Sequence, residues 1–279
     1  MPATDTHSQP VDLWSQAGFL RRRIADAARL FLFLDFDGTL APIVPEPSSA
    51  RMPEALKRIL ESLCARSDVV AAVITGRAVE DLVPRVGLPV IYAGNHGLEI
   101  HGRGLEYAAP VPAQTVLQLV DCCKALRVRL APVNGAWIEY KEWTAAVHVR
   151  QVARCQVPDV AHFVRTTVME YPNLKLSSGK EVFEVQPNIA WNKGHAARWI
   201  LHQMEGNESD AICLGDDSTD EDMFHALRGG ISIKIGAGDS SAQYRLADTE
   251  VLRFFSFVWE AVERSRGSHI NVESLTISR

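Results

Sequence analysis

Asp35-Phe36-Asp37-Gly38-Thr39-Leu40 closes the apolar run Leu30-Phe31-Leu32-Phe33-Leu34. Two carboxylates two residues apart, where a buried strand runs into a turn, repel each other and lose solvation together. Something positive must offset that cost, and a divalent metal does so directly. One aspartate can then serve as nucleophile and its neighbour as proton carrier. A plain strand ending in an Asp-Gly turn has the same appearance, so the hexapeptide alone does not decide. Three further strings bear on it. Thr75-Gly76-Arg77 follows a second apolar run, Asn192-Lys193-Gly194 opens a helical pattern, and Gly215-Asp216-Asp217-Ser218-Thr219-Asp220 follows a later run. In open parallel sheets, ligands bind beyond the carboxyl ends of the strands. Singly, each string has an ordinary explanation as a turn, an exposed helix lysine or a helix cap. Together, in this order and at these ends, they point to one site.

The pattern predicts the elements that must carry these residues. Residues 30–36 read as a buried strand, 69–75 and 90–95 as further apolar runs, and 53–66 as a helix with Leu56, Ile59, Leu60 and Leu63 at helical spacing. Such alternation predicts βαβ units and a parallel sheet covered on both faces. The character changes after about Gly104. A helix over 114–130 precedes adjoining strands over 137–143 and 145–152, a helix over 158–171, and strands over 175–178 and 181–186. Paired strands with two helices form a small α+β unit. After Pro187 the α/β rhythm resumes with a helix over 193–204, a strand over 211–215, a helix over 220–228, a strand over 231–235 and a last helix over 251–264. A first helix over 14–30 and a loose polar tail from Ser265 complete the expectation. The division expected is a core of residues 1–103 and 188–279, interrupted by a cap of residues 104–187.

The chain has 279 residues, 47% of them hydrophobic, enough for a sizeable core. A formal net charge of −5 offers no basic field for nucleic acid or a membrane surface. The polar N-terminus lacks the build of a signal peptide, and the run ending at Leu34 is too short to span a bilayer. Cysteines number five, with no CxxC, which argues against a disulfide framework or a zinc site. A reducing, cytoplasmic compartment is expected, and a monomer is favoured.

The order of the four strings resembles the four motifs of the haloacid dehalogenase superfamily of phosphotransferases. That resemblance implies a Rossmann-like α/β core with an inserted α+β cap of the C2 type, and a set of roles. Asp35 would accept the phosphoryl group, while Asp37 would protonate the leaving oxygen and then activate water. A raised Asp37 pKa, from burial beside other carboxylates, would suit that task. Thr75 would hydrogen-bond the phosphoryl oxygens, and Lys193 would neutralise phosphate and Asp35 together. Mg2+ would be held by the Asp35 and Asp216 carboxylates and the Asp37 main-chain carbonyl, with Asp217 and Asp220 in support. Hard oxygen ligands suit this ion.

Further strings are similar to those of trehalose-6-phosphate phosphatases: Gly94-Asn95-His96-Gly97-Leu98-Glu99, Val147-His148-Val149-Arg150, Gly179-Lys180-Glu181-Val182-Phe183-Glu184, Gln186 through Gly194, and Gly215 through Asp222. The similarity covers roughly residues 30 to 255. Alternation adds that His148 shares a strand face with Arg150, and Glu184 with Gln186. Such faces are ordinarily solvated; the resemblance assigns them to a sugar instead. It implies that Lys180 and Glu184 reach hydroxyls distal to the phosphate, with Asn95, His96, His148 and Arg150 around the rest of the disaccharide. Gly76 and Arg77 fall on the phosphate side, where Arg77 reads equally as a structural ion-pair partner. Asn192 stands where this family often has an acidic residue, which removes any charge-dependent role there. The implied activity is hydrolysis of trehalose 6-phosphate. The alternatives are another ester, such as sucrose phosphate or mannosyl-3-phosphoglycerate, or a non-catalytic sugar-phosphate-binding regulatory domain.

Overall fold

The structure is a computed structural model, and it describes residues 9–179 and 181–267. A nine-stranded sheet runs, from one edge, through Val11–Asp12, Tyr244–Leu246, Ile231–Ile235, Ala211–Gly215, Leu30–Leu34, Val69–Ile74, Ile91–Gly94, Glu99–Gly102 and Leu105–Ala108. The pairings are parallel as far as Ile91–Gly94; the last two strands join antiparallel.

The two-residue periodicity of a strand divides the central apolar runs between two layers. Leu30, Leu32 and Leu34 pack on one face with Val69, Ala71 and Val73. Phe31 and Phe33 pack on the other with Val70, Ala72 and Ile74. The first face is covered by residues of helices Ala17–Asp26, Glu54–Cys64, Val79–Val86 and Val251–Gly267, and the second by residues of Lys193–Gln203 and Glu221–Ala226. Burial on both faces explains why these strands carry no polar alternation.

A separate four-stranded antiparallel sheet, in the order Trp137–Tyr140, Ala145–His148, Val182–Pro187, Leu174–Gly179, forms the smaller layer. Helices Ala113–Leu130 and Val157–Val168 close one of its faces, burying Leu119, Cys122, Leu126, Val160 and Val164 against Val147 and Val185. The opposite face, with Glu139, Ala146, His148 and Glu184, lines a cavity above the larger sheet.

The larger sheet gains a hairpin that the patterning misses. Glu99–Gly102 and Leu105–Ala108 are short and half polar, and turn at Arg103-Gly104. Leu105–Ala108 therefore lies on the larger sheet, so the change of sheet falls after Ala108 and not after Arg103. Pro84 masks helix Val79–Val86, which Gly87 ends in the left-handed region. The first helix stops at Asp26, because Leu30 already belongs to the central strand. The segment expected as one helix over 220–228 is a 3-10 turn, Ser218–Asp220, followed by Glu221–Ala226. The last helix continues to Gly267, past the expected start of the tail. Among the described residues, no helix is long and apolar enough to cross a membrane.

Candidate active site

Strand Leu30–Leu34 ends between Val69–Ile74 and Ala211–Gly215, so Asp35, Thr75 and Asp216 leave three adjacent strands at one edge. The Asp35 amide donates to the Leu214 carbonyl at 3.0 Å, and that of Thr75 to the Ala93 carbonyl at 3.0 Å, which extends the ladder to the level of these side chains. All three residues are buried. Helix Lys193–Gln203 begins beside this edge and sends its first side chain inward. Lys193 Nζ donates to Asp35 Oδ1 at 2.6 Å and to Asp220 Oδ1 at 2.8 Å, with all three side chains almost inaccessible. The other Asp220 oxygen accepts the main-chain N–H groups of Asp216 and Asp217, both at 2.9 Å. Asp220 thus ties the lysine to the turn that presents Asp216. Asn192 caps the helix by accepting the His195 N–H at 3.0 Å, a task its amide performs without charge.

Burial pushes the Asp35 carboxyl well above the ordinary carboxylate range; Lys193 opposes this, while Asp220 and Asp216 push it further up. For Lys193, burial works against the charge, but Asp220 and Asp35 outweigh it and hold the ammonium above its usual value. The carboxylates of Asp35, Asp216 and Asp220 lie within 4.8 Å of one another. A cluster of hard oxygen donors around an acid raised by like charge fits a small divalent cation, which would relieve that repulsion. Asp220 is already committed to Lys193 and two amides, leaving Asp35 and Asp216 as the carboxylates suited to hold it.

Asp37 departs from expectation. Its carboxylate is not in that cluster. It accepts two bonds from the Arg77 guanidinium, 2.6 Å from Nε and 2.8 Å from Nη2, and its side chain is 40% exposed. The requirement of burial beside other carboxylates is therefore not met. Arg77 also donates to Asp81 at 2.7 Å and to the Pro47 carbonyl at 2.9 Å. Burial lowers the Arg77 pKa, but Asp37 and Asp81 more than compensate and hold it above the usual value. Arg77 is thus an ion-pair partner at the cavity wall. Thr75 Oγ1 accepts the Arg77 N–H at 3.3 Å.

Gly38 is required by contact as well as by conformation. Its φ is +85°, and a β-carbon there would stand 2.0 Å from Asp216 Oδ2. Gly38→Ala should cost about 1–3 kcal/mol in backbone strain alone, and should displace Asp216. A lowered denaturation midpoint together with lost activity is the expected result. Gly76 is similarly hemmed in: a β-carbon would meet the His96 ring of the neighbouring core turn at 2.8 Å and Glu184 of the cap sheet at 3.1 Å.

The sugar-side expectations divide. Asn95, expected beside the disaccharide, is fully buried; its amide donates to Glu99 at 2.7 Å and accepts from Thr144 at 2.7 Å, so it fastens the two sheets together. Asn95 and His96 both adopt positive φ, a conformation that Asn and His tolerate better than most residues. This turn is bonded through its amides to the Arg77 and Thr75 carbonyls. His96 and Glu184 line the cavity but pair with each other. Burial raises the Glu184 pKa, yet His96, Lys141 and a bond from Gln186 hold it well below the ordinary carboxylate range. His148 Nε2 meets Glu139 Oε2 at 2.8 Å, and Arg150 pairs with Glu181 at 3.0 Å and donates to the Val44 carbonyl. Asp217 lines the cavity and caps Ser218 at 2.6 Å. Lys180 lies outside the described residues.

Sequence reasoning missed Glu139 and Lys141. Lys141 Nζ donates to the Gly76 carbonyl at 3.0 Å and lies 3.6 Å from Glu184 and 3.9 Å from Glu139. The available signal was alternation: Trp137 and Glu139 share one side of strand Trp137–Tyr140, Lys141 follows just past its end, and all three line the cavity.

A parallel sheet with a lysine–aspartate cluster at its strand ends and an antiparallel sheet over it define the haloacid dehalogenase-like fold class. A haloacid dehalogenase-like hydrolase from Bacteroides thetaiotaomicron superposes with a TM-score of 0.60 at 14% identity, covering 85% of this chain and 99% of that one. The C-terminal domain of C. albicans trehalose-6-phosphate phosphatase has the same fold, with a TM-score of 0.78 at 23% identity over 92% of this chain and 99% of that one. More specifically, the chain belongs to the trehalose-phosphatase family, whose model matches residues 33–250. The trehalose-phosphate phosphatase of Mycobacterium leprae is 37% identical over 217 residues, 73% of this chain and 50% of that protein. The chain thus spans about half the length of that relative.

Proposed function

We propose that the chain hydrolyses trehalose 6-phosphate to trehalose and phosphate. The observation that carries this is the buried Asp35–Lys193–Asp220 chain with Asp216 at a strand edge, opening into a cavity walled by cap side chains. Family membership supplies the substrate class. An Asp35 oxygen attacks phosphorus in line with the bond to the sugar oxygen, which breaks as the acyl phosphate forms. Asp37, at the exposed side of the site, carries the proton to the leaving oxygen and later takes one from the attacking water. To do so it must leave the Arg77 fork, which holds it while the site is at rest. Lys193 and Thr75 face the transferring oxygens. Mg2+ held by Asp35, Asp216 and the Asp37 carbonyl would supply further charge neutralisation. Residues 109–187 act as the cap, and its closure excludes bulk water. All five cysteines are free, which is compatible with a reducing compartment.

The test is phosphate release from a panel with Mg2+ present. Trehalose 6-phosphate should be turned over far faster than sucrose 6-phosphate or glucose 6-phosphate; comparable rates would defeat the assignment. Mg2+ at a hundredfold excess over its Kd should stabilise the fold by about 2.7 kcal/mol. In thermal unfolding that gain should vanish on chelation and be absent from Asp216→Asn.

A further inference from the structure

We propose that the Trp137 indole is the stacking platform for the sugar ring remote from the phosphate, and thereby sets a preference for disaccharide over monosaccharide phosphates. The inference rests on the sugar-phosphate reading above. Lys141 marks the phosphoryl end of the cavity, because its Nζ reaches the Gly76 carbonyl next to Thr75. Glu139 stands beside it, and Trp137 follows four residues back along the chain. At a strand rise of about 3.3 Å per residue, the Trp137 backbone stands about 13 Å from that of Lys141, so the indole lies toward the end of the cavity away from the phosphoryl group.

The ring is held in place. Trp137 and His148 are cross-strand partners, and their rings stack at 3.9 Å with an interplanar angle of 9°. His148 is itself fixed by Glu139 at 2.8 Å. Trp137 remains 40% exposed, so part of its apolar ring surface is uncovered. Among the described residues lining the cavity it is the one Trp, Tyr or Phe. The wall also offers aliphatic groups (Ile43, Val44, Val182) and many charges suited to hydroxyl edges, but a pyranose has an apolar C–H face that a flat ring matches best. A rigid aromatic plane binds that face at small entropic cost, since its rotamer is already fixed.

Steady-state kinetics of Trp137→Ala and Trp137→Phe test this with trehalose 6-phosphate, glucose 6-phosphate and p-nitrophenyl phosphate. Trp137→Ala should raise KM for the disaccharide ester about tenfold with kcat within about twofold, and leave the other two substrates unchanged. Trp137→Phe should stay within about threefold of wild type. Equal losses on all three substrates, or an unchanged KM for the disaccharide ester in Trp137→Ala, overturn the platform alone. A wild-type enzyme with no preference for trehalose 6-phosphate overturns the functional reading and the platform with it.

Discussion

Asp35→Asn should lower phosphate release by on the order of 10^4-fold or more, the scale on which enzymes lose activity when a covalent nucleophile is removed. The amide is nearly the same shape and can still accept from Lys193, so neither packing nor the lysine's position is forfeited. Stability should be unchanged or raised. The native carboxyl is pushed up by burial and by Asp220 and Asp216, which means that its ionised form is held against its environment. Removing that charge removes the repulsion. Loss of activity at an undiminished melting temperature, with substrate still bound, is therefore the signature expected. Wild-type protein quenched during turnover should carry a hydroxylamine-sensitive phosphoryl group on Asp35, and the variant should carry none. Sustained turnover by Asp35→Asn would reassign the nucleophile.

Lys193→Met should damage both stability and activity. The side chain is buried and bridges Asp35 and Asp220 at 2.6 and 2.8 Å. Methionine fills similar volume but leaves two buried carboxylates facing each other without a cation. Breaking one partner out of a buried ion pair costs about 3–5 kcal/mol. Asp220 also secures the amides of Asp216 and Asp217, so its displacement would disturb the proposed metal-holding turn. Lys193→Arg should not rescue, since a fork does not fit a site built for a point charge. Denaturant unfolding checks the stability part. A midpoint unchanged in Lys193→Met would show that the pair contributes nothing to the fold. The double variant Lys193→Met/Asp35→Asn should recover part of the lost stability, because it removes one of the unpaired charges.

The catalytic edge was legible because its residues stand where apolar runs stop. Asp35 follows Leu34, Thr75 follows Ile74 and Asp216 follows Gly215, and in a parallel sheet such ends share one side. The cavity wall was harder to read. Glu139, Lys141 and Glu184 are charged residues on an antiparallel sheet, where a solvated face is the ordinary outcome. Alternation groups them on one side, but that this side walls a cavity depends on the cap folding over the core, which no local pattern encodes. Asn95, which the resemblance places beside the disaccharide, has its amide engaged by Thr144 and Glu99, a long-range pairing that no local pattern shows. Asp37 was misjudged in environment, since its partner Arg77 is distant in sequence and belongs to another strand end. The hairpin Glu99–Ala108 escaped because its strands are too short and too polar to stand out from a loop.

The strand order Ala211–Gly215, Leu30–Leu34, Val69–Ile74 has a further consequence. Neighbouring strands are held at about 4.8 Å by their hydrogen bonds. Asp216, Asp35 and Thr75 are therefore spaced by the sheet's own gauge, whatever happens in the loops that follow. Sequence drift in the cap can retune which alcohol is presented without touching that scale. Asp35 and its two neighbours can be disordered only by tearing the centre of the sheet, so the proposed chemistry and global unfolding should fail together on heating, while recognition can fail alone.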